Sequence, residues 1–171
     1  MNAHALLRPA TQDDADAISR IVVAGWRDSY CHFLPPSFLG GLAENPYHDA
    51  SSWIARLRAP SCATWMIAEA GHEVGVISLT LGSSCVPDAD CELTTLYLAA
   101  DFRGRGLGEN ALAAARQFTL GAGHNRLSTT VLMGNVRGRR FYERLGARMI
   151  GRQPVFEWDG QVIEEGMYLF Q

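Results

Sequence analysis

The chain has 171 residues, 47% of them hydrophobic, enough for one domain with a sizeable core. Its net charge of −3 argues against a nucleic-acid partner, whose electrostatic footprint is basic, and against a disordered Arg-Gly tract as the meaning of "RGRG" at 103–106. No apolar run is long enough to span a bilayer, and "MNAHALLRPATQDD" lacks the basic start, apolar stretch and cleavage site of a signal peptide, so no membrane role and a cytoplasmic location are expected.

In chain order, "LLRPA" (6–10) is a short strand candidate ended by Pro9. Thr11 looks like the N-cap of a helix, with Asp13 and Asp14 in the first turn, where negative charge suits the helix dipole. Ile18, Ile21, Val22 and Trp26 form an apolar stripe at helical spacing. Pro35 and Pro36 break that pattern, and a second short helix follows. "ASSWIARLRA" (50–59) predicts another helix with Trp53, Ile54 and Leu57 inward, stopped by Pro60. "ATWMIAEAGHEVGVISLTLGS" (63–83) predicts two strands joined by a tight turn at Ala70, Gly71 and His72. "CELTTLYLAA" (91–100) is the next strand, followed by the glycine stretch and its helix. "RLSTTVLMG" (126–134) is a strand, and "NVRGRRFYERLGA" (135–147) a short helix with Gly146 as its C′ residue. The chain finishes as a hairpin turning at Asp159-Gly160. The cysteines (Cys31, Cys62, Cys85, Cys91) make no C-x-x-C pair and the five histidines are scattered, so reduced thiols and no metal site are expected. The succession predicts a single mixed α/β domain over residues 1–171, around a largely antiparallel sheet.

"FRGRGLGENALAAARQF" (102–118) places Gly104, Gly106 and Gly108 directly before a strong helix former. A helix N-terminus carries unpaired N–H groups and partial positive charge, and a glycine-rich approach lets those groups wrap an anion, most often phosphate. Arg103 and Arg105 add matching charge. The stretch contains neither the Lys-Ser/Thr of the nucleotide-hydrolase loop nor the final glycine of the dinucleotide fingerprint. Read alone, it is either an anion cradle or a flexible turn.

The stretch "LTTLYLAADFRGRGLGENAL" (93–112) resembles the acyl-CoA-binding segment of the GNAT superfamily of N-acetyltransferases. That pattern is Arg or Gln, two residues, Gly, one residue, then Gly or Ala; Arg103, Gly106 and Gly108 match it. "NVRGRRFYERLGA" resembles the second GNAT signature through Asn135, Phe141, Tyr142, Glu143 and Gly146, with Gly138 in place of the common Ala and Ala147 in place of the common Phe. The resemblance covers residues 63–170; the first sixty match only in outline. It implies a GNAT-like sheet of six or seven strands flanked by about four helices and splayed at the acyl-CoA site.

It also implies acetyl-CoA as cosubstrate. Backbone N–H groups of Gly104, Arg105, Gly106, Leu107, Gly108 and Glu109 would hold its pyrophosphate, with Arg103 beside them, and the strand around Leu96 and Leu98 would pair with the pantetheine amides. A backbone N–H near Leu96 to Leu98 would receive the oxyanion. Tyr142 would protonate the departing thiolate, or it is only the apolar face of a short helix. Asn135 would bond the cofactor, cap its helix, or both. Glu92 stands at the spacing of the catalytic glutamate of histone-type members, or is a solvated strand residue; Glu69 and Glu73 flank a turn and read as solvated. The acceptor site would come from the first two helices and the C-terminal hairpin; Trp26 there fits the core, while Tyr30 fits core or lining. The expected activity is acetylation of a small-molecule or peptide amine. A catalytically inactive acyl-CoA-binding module is the alternative. A homodimer is common in the family.

Overall fold

The computed structural model describes residues 6–45 and 48–170. Among these residues seven strands form one sheet in the order β1-β2-β3-β4-β5-β7-β6. They are β1 (Leu6–Pro9), β2 (Cys62–Glu69), β3 (His72–Leu81), β4 (Cys91–Leu98), β5 (Leu127–Leu132), β6 (Ala147–Trp158) and β7 (Gln161–Phe170). Every neighbouring pair is antiparallel except β4 with β5. Among the described residues the α-helices number five: α1 (Ala15–Tyr30), α2 (Pro36–Gly40), α3 (Ala50–Arg58), α4 (Leu107–Gly121) and α5 (Val136–Arg144). The second short helix expected after the two prolines is α2. The two-proline break ends α1, and Pro36 then occupies the first turn of a new helix, where its missing N–H costs nothing.

Local chemistry fixes the ends of these elements. Thr11 does not open α1 directly; a 3₁₀ turn (Gln12–Asp14) intervenes, and the Asp14 carboxylate accepts the Thr11 N–H at 2.6 Å. The Asp14 carboxyl is held near 2 by its hydrogen bond from Arg8, against the opposing effect of burial. Both hairpins turn where the sequence predicts, at Ala70-Gly71 and Asp159-Gly160, with all four residues at positive φ.

Side chains alternate across the sheet and separate two layers. On one face α4 buries Leu107, Ala111, Leu112 and Ala115 against Ile77, Leu79, Leu93 and Leu127. On the other, α1 and α3 bury Ile18, Val22 and Trp53 against Met66 and Val76. Each such Leu, Ile, Val or Met side chain contributes about 1.5–3 kcal/mol by leaving water. A third cluster joins α1 and α2 to β5 through Val23, Tyr30, Leu39 and Leu132.

The parallel junction is short. Cys91–Leu93 pair with Leu127–Thr129, and there the pairing stops, although β4 runs on to Leu98 and β5 to Leu132. A bulge at Thr94, where the register against β3 skips one residue, increases the twist of β4 at the point of departure. The sheet therefore opens into a wedge.

Candidate active site

The wedge is a cleft of about 820 Å³. One wall is Leu93 to Leu98 of β4, the other Thr129 to Val131 of β5, with the loop after β4 and the start of α5 at the mouth. The β5-facing backbone groups of Thr94–Leu98 have no partner strand, so this wall offers an extended ligand the amide pairing of a sheet edge.

The loop at the mouth is built for close approach. A 3₁₀ turn (Ala100–Phe102) reverses the chain, and Gly104 and Gly106 follow at φ 73° and 81°. Gly106 caps α4 in the left-handed region, which a residue with a Cβ enters only at a cost. A Cβ on Gly104 or Gly106 would meet nothing within 4 Å, so the space over them is open for a ligand. The first intrahelical bond of α4 is Asn110 N–H to Gly106 C=O, at 3.0 Å, which leaves the preceding amides aimed at that space. At Gly108 a Cβ would stand 3.4 and 3.5 Å from Phe141 and Leu98, in ordinary contact, so this position has room for the alanine that the motif also allows.

The arginines divide the work. Arg103 donates from Nε to the Leu98 carbonyl at 2.9 Å and pairs its guanidinium with Asp28 of α1. That hydrogen bond holds the Asp28 carboxyl below the usual carboxylate range. Arg137 stands 3.7 Å from the same carboxylate. Arg105 turns away, pairing with Glu69 at 3.1 Å and lying over the Phe102 ring. Arg137, Arg140 and Arg144 line the cleft. Glu109 accepts from Arg144 at 2.5 Å. This cationic face of α5 complements an anionic ligand over the loop.

Deeper in, Tyr142 projects from α5 with its ring packed on Phe141 and Phe170, at 5.1 and 6.2 Å between centroids. Burial pushes its hydroxyl well above the ordinary tyrosine value, so it stays protonated at neutral pH and is a donor. Tyr97 of β4 and Tyr30 of α1 place their hydroxyls 3.1 Å apart. Asn135 caps α5 by accepting the Gly138 N–H on Oδ1 at 2.8 Å.

A family model described as the acetyltransferase (GNAT) family matches residues 26–147. The chain belongs to the GNAT family of acetyltransferases. The fold is similar to that of a GCN5-related N-acetyltransferase from Rhodopseudomonas palustris, at 19% identity over 99% of this chain and 97% of that chain, with a TM-score of 0.79. It is similar to PaiA N-acetyltransferase from Thermoplasma acidophilum in complex with coenzyme A, at 14% identity over 98% of each chain and a TM-score of 0.78. An acetyltransferase from Thermus thermophilus is similar at 21% identity over 98% of this chain and 97% of that one, with a TM-score of 0.68. No curated protein matches the chain.

The GNAT motifs thus sit on a matching fold. Of the residues singled out by sequence, Leu96, Leu98, Arg103, Gly104, Gly106, Gly108, Glu109, Asn135 and Tyr142 line one cleft. The Leu107 side chain is buried under α4, leaving only its backbone to serve the loop, and Arg105 lies outside the lining. Glu92 is also outside it. Its neighbours Cys91 and Leu93 face the α4 core, so Glu92 points to the α1 side of the sheet, where its Oε2 accepts from Ser84 Oγ at 3.2 Å and Cys85 N–H at 3.0 Å. The sequence reading passes over the α5 arginines, although their spacing (137, 140, 144) marks one helical face. It also passes over Thr129 and the Tyr97 side chain, which no local signal identifies.

The departure at Gly138 has a physical reason. A Cβ there would lie 2.6 Å from Asn135 Nδ2. Gly138→Ala should therefore push Asn135 out of its cap. The lost cap, about 1 kcal/mol, offsets the helix propensity gained, also about 1 kcal/mol. The melting temperature should stay nearly constant in calorimetry while the Asn135 amide leaves the cleft and acetyl-CoA affinity falls in titration.

Proposed function

We propose that this GNAT protein is an N-acetyltransferase that moves an acetyl group from acetyl-CoA directly to a primary amine of a small molecule, amino acid, polyamine or peptide. The cleft between β4 and β5 carries this reading: open glycine amides and arginines at its mouth, an unpaired strand edge along its wall, and the protonated Tyr142 hydroxyl within it. The loop amides of residues 104–109 and the α5 arginines suit the pyrophosphate and phosphate of the coenzyme, and the edge at Leu96 and Leu98 suits its amides. Backbone N–H groups on that edge receive the oxyanion that develops on the carbonyl. Tyr142 gives its proton to the sulfur as the C–S bond breaks.

The amine must be neutral to attack, and a primary amine has a pKa near about 10, like lysine. Glu92 takes its proton through water, because Ser84 and Cys85 already occupy the carboxylate and set it back from the cleft. Glu92→Gln should lower turnover at neutral pH, and raising the pH should restore part of it as more amine arrives deprotonated. Equal activity of variant and wild type at every pH assigns Glu92 to the Ser84–Cys85 loop alone. The test of the function itself is release of free coenzyme thiol from acetyl-CoA across a panel of amines. Acetyl-CoA binding without amine-dependent release would make the protein a coenzyme-binding module.

A further inference from the structure

The wedge parts the sheet, and its lining comes from both faces, from α1 on one and from the loop after β4 and α5 on the other. The loop amides and α5 arginines stand with α4 and α5 on one face and claim it for the coenzyme. The second substrate must then come from the opposite face, which α1 covers. On that side α1 lines the cleft with Ser29 and Tyr30, and Tyr30 is the buried one, 6% exposed. Its hydroxyl meets the Tyr97 hydroxyl on β4 at 3.1 Å and the side chain of Asn135, which caps α5 just after β5.

We propose that the Tyr30 hydroxyl, held by Tyr97 and Asn135, accepts an N–H of the acceptor amine, leaves the nitrogen lone pair to attack, and so sets its line of approach to the thioester. The inference rests on the acetyltransferase reading of the same cleft and adds the group that orients the amine. The surroundings fix this hydroxyl at some cost to the chain. Gly25 interrupts α1, where glycine costs about 1 kcal/mol relative to alanine, because a Cβ there would collide with the Tyr97 ring. Phe33 lies on Gly134, where a Cβ would stand 2.5 Å from the ring. Trp26 and Phe33 hold the Tyr30 ring edge-on at 4.6 and 5.5 Å. Two glycines thus make room for rings that flank one phenol. The Asn135 Oδ1 accepts the Gly138 N–H, and its NH2 group can donate to the Tyr30 oxygen; with the Tyr30 O–H turned to Tyr97, as that pair allows, one phenol lone pair remains for an amine N–H. Burial raises the Tyr30 pKa, against the opposing effect of its hydrogen bonds with Tyr97 and Asn135. At neutral pH the phenol is un-ionised, a polar contact suited to a neutral amine.

The experiment compares wild type with Tyr30→Phe and Tyr97→Phe. Coenzyme thiol release is measured from acetyl-CoA with butylamine, 1,4-diaminobutane, phenylalanine and glycylglycine, and thermal shift is measured with acetyl-CoA alone. Tyr30→Phe should raise KM for the amine that wild type uses best by about tenfold, the effect of one lost hydrogen bond to substrate. The acetyl-CoA shift should be unchanged, and Tyr97→Phe should move KM the same way by less. Amine KM equal to wild type in Tyr30→Phe overturns the proposal. A lost acetyl-CoA shift or a much earlier melt makes Tyr30 a packing residue and also overturns it. Wild type that binds acetyl-CoA and acetylates none of the amines overturns the acetyltransferase reading and this inference together, an outcome distinct from the other two.

Discussion

Tyr142→Phe should lower turnover by about 10²–10⁴-fold, the usual worth of a general acid, with saturating amine and acetyl-CoA. The substitution removes one oxygen and leaves the ring on Phe141 and Phe170. Acetyl-CoA affinity should therefore change by less than about tenfold, or roughly 1.4 kcal/mol. Burial keeps the hydroxyl protonated until the sulfur takes its proton, and the phenolate left behind recovers one from water, so the expected effect belongs to bond breaking and not to ground-state binding. Single-turnover release of thiol, measured beside equilibrium titration of the coenzyme, separates the two. Normal turnover in the variant means that the sulfur leaves unaided or takes its proton elsewhere. Loss of coenzyme binding makes Tyr142 a packing residue.

Gly106→Val should abolish coenzyme binding. At about one hundred times its Kd, acetyl-CoA stabilises a protein that binds it by about 2.7 kcal/mol, or about 5–10 °C in melting temperature at this chain length. Wild type should show that rise and the variant none. A β-branched residue is strongly disfavoured at φ 81°, so the chain either shifts this residue out of the left-handed region and re-aims the α4 amides, or keeps it and fills the open space with methyl groups. Either outcome removes the anion site. A variant with an undiminished shift would show that the loop is only a turn.

The strand and helix succession is legible in the sequence because its punctuation is local: Asp159-Gly160, Pro36, Gly146 and the glycines before α4 each dictate a backbone angle without reference to distant residues. The cleft is only indirectly legible. Its cause is a parallel pairing that stops after three residues, and where a ladder stops depends on register between segments more than thirty residues apart. The same limit hides the Tyr30–Tyr97 contact, which spans 67 positions. Charge is the other obstacle. Arg103 and Arg105 look equivalent two residues apart, yet one braces the Leu98 carbonyl and the other turns to Glu69, a choice set by which carboxylate the folded chain brings near. Glu92 illustrates it again: its distance along the strand from Arg103 matches a motif, while its partners come from the loop at Ser84 and Cys85.

An unpaired strand edge is ordinarily a hazard, because another chain can add to it and start an aggregate. Here the unpaired stretches of β4 and β5 face each other inside the protein, roofed by α1 on one side and by α4 and α5 on the other. The gap admits a slender molecule with amides along its length and excludes a polypeptide strand with its neighbours attached. Parting two strands in mid-sheet thus keeps strong backbone hydrogen-bonding capacity ready for a ligand while protecting the protein from self-association through that same edge.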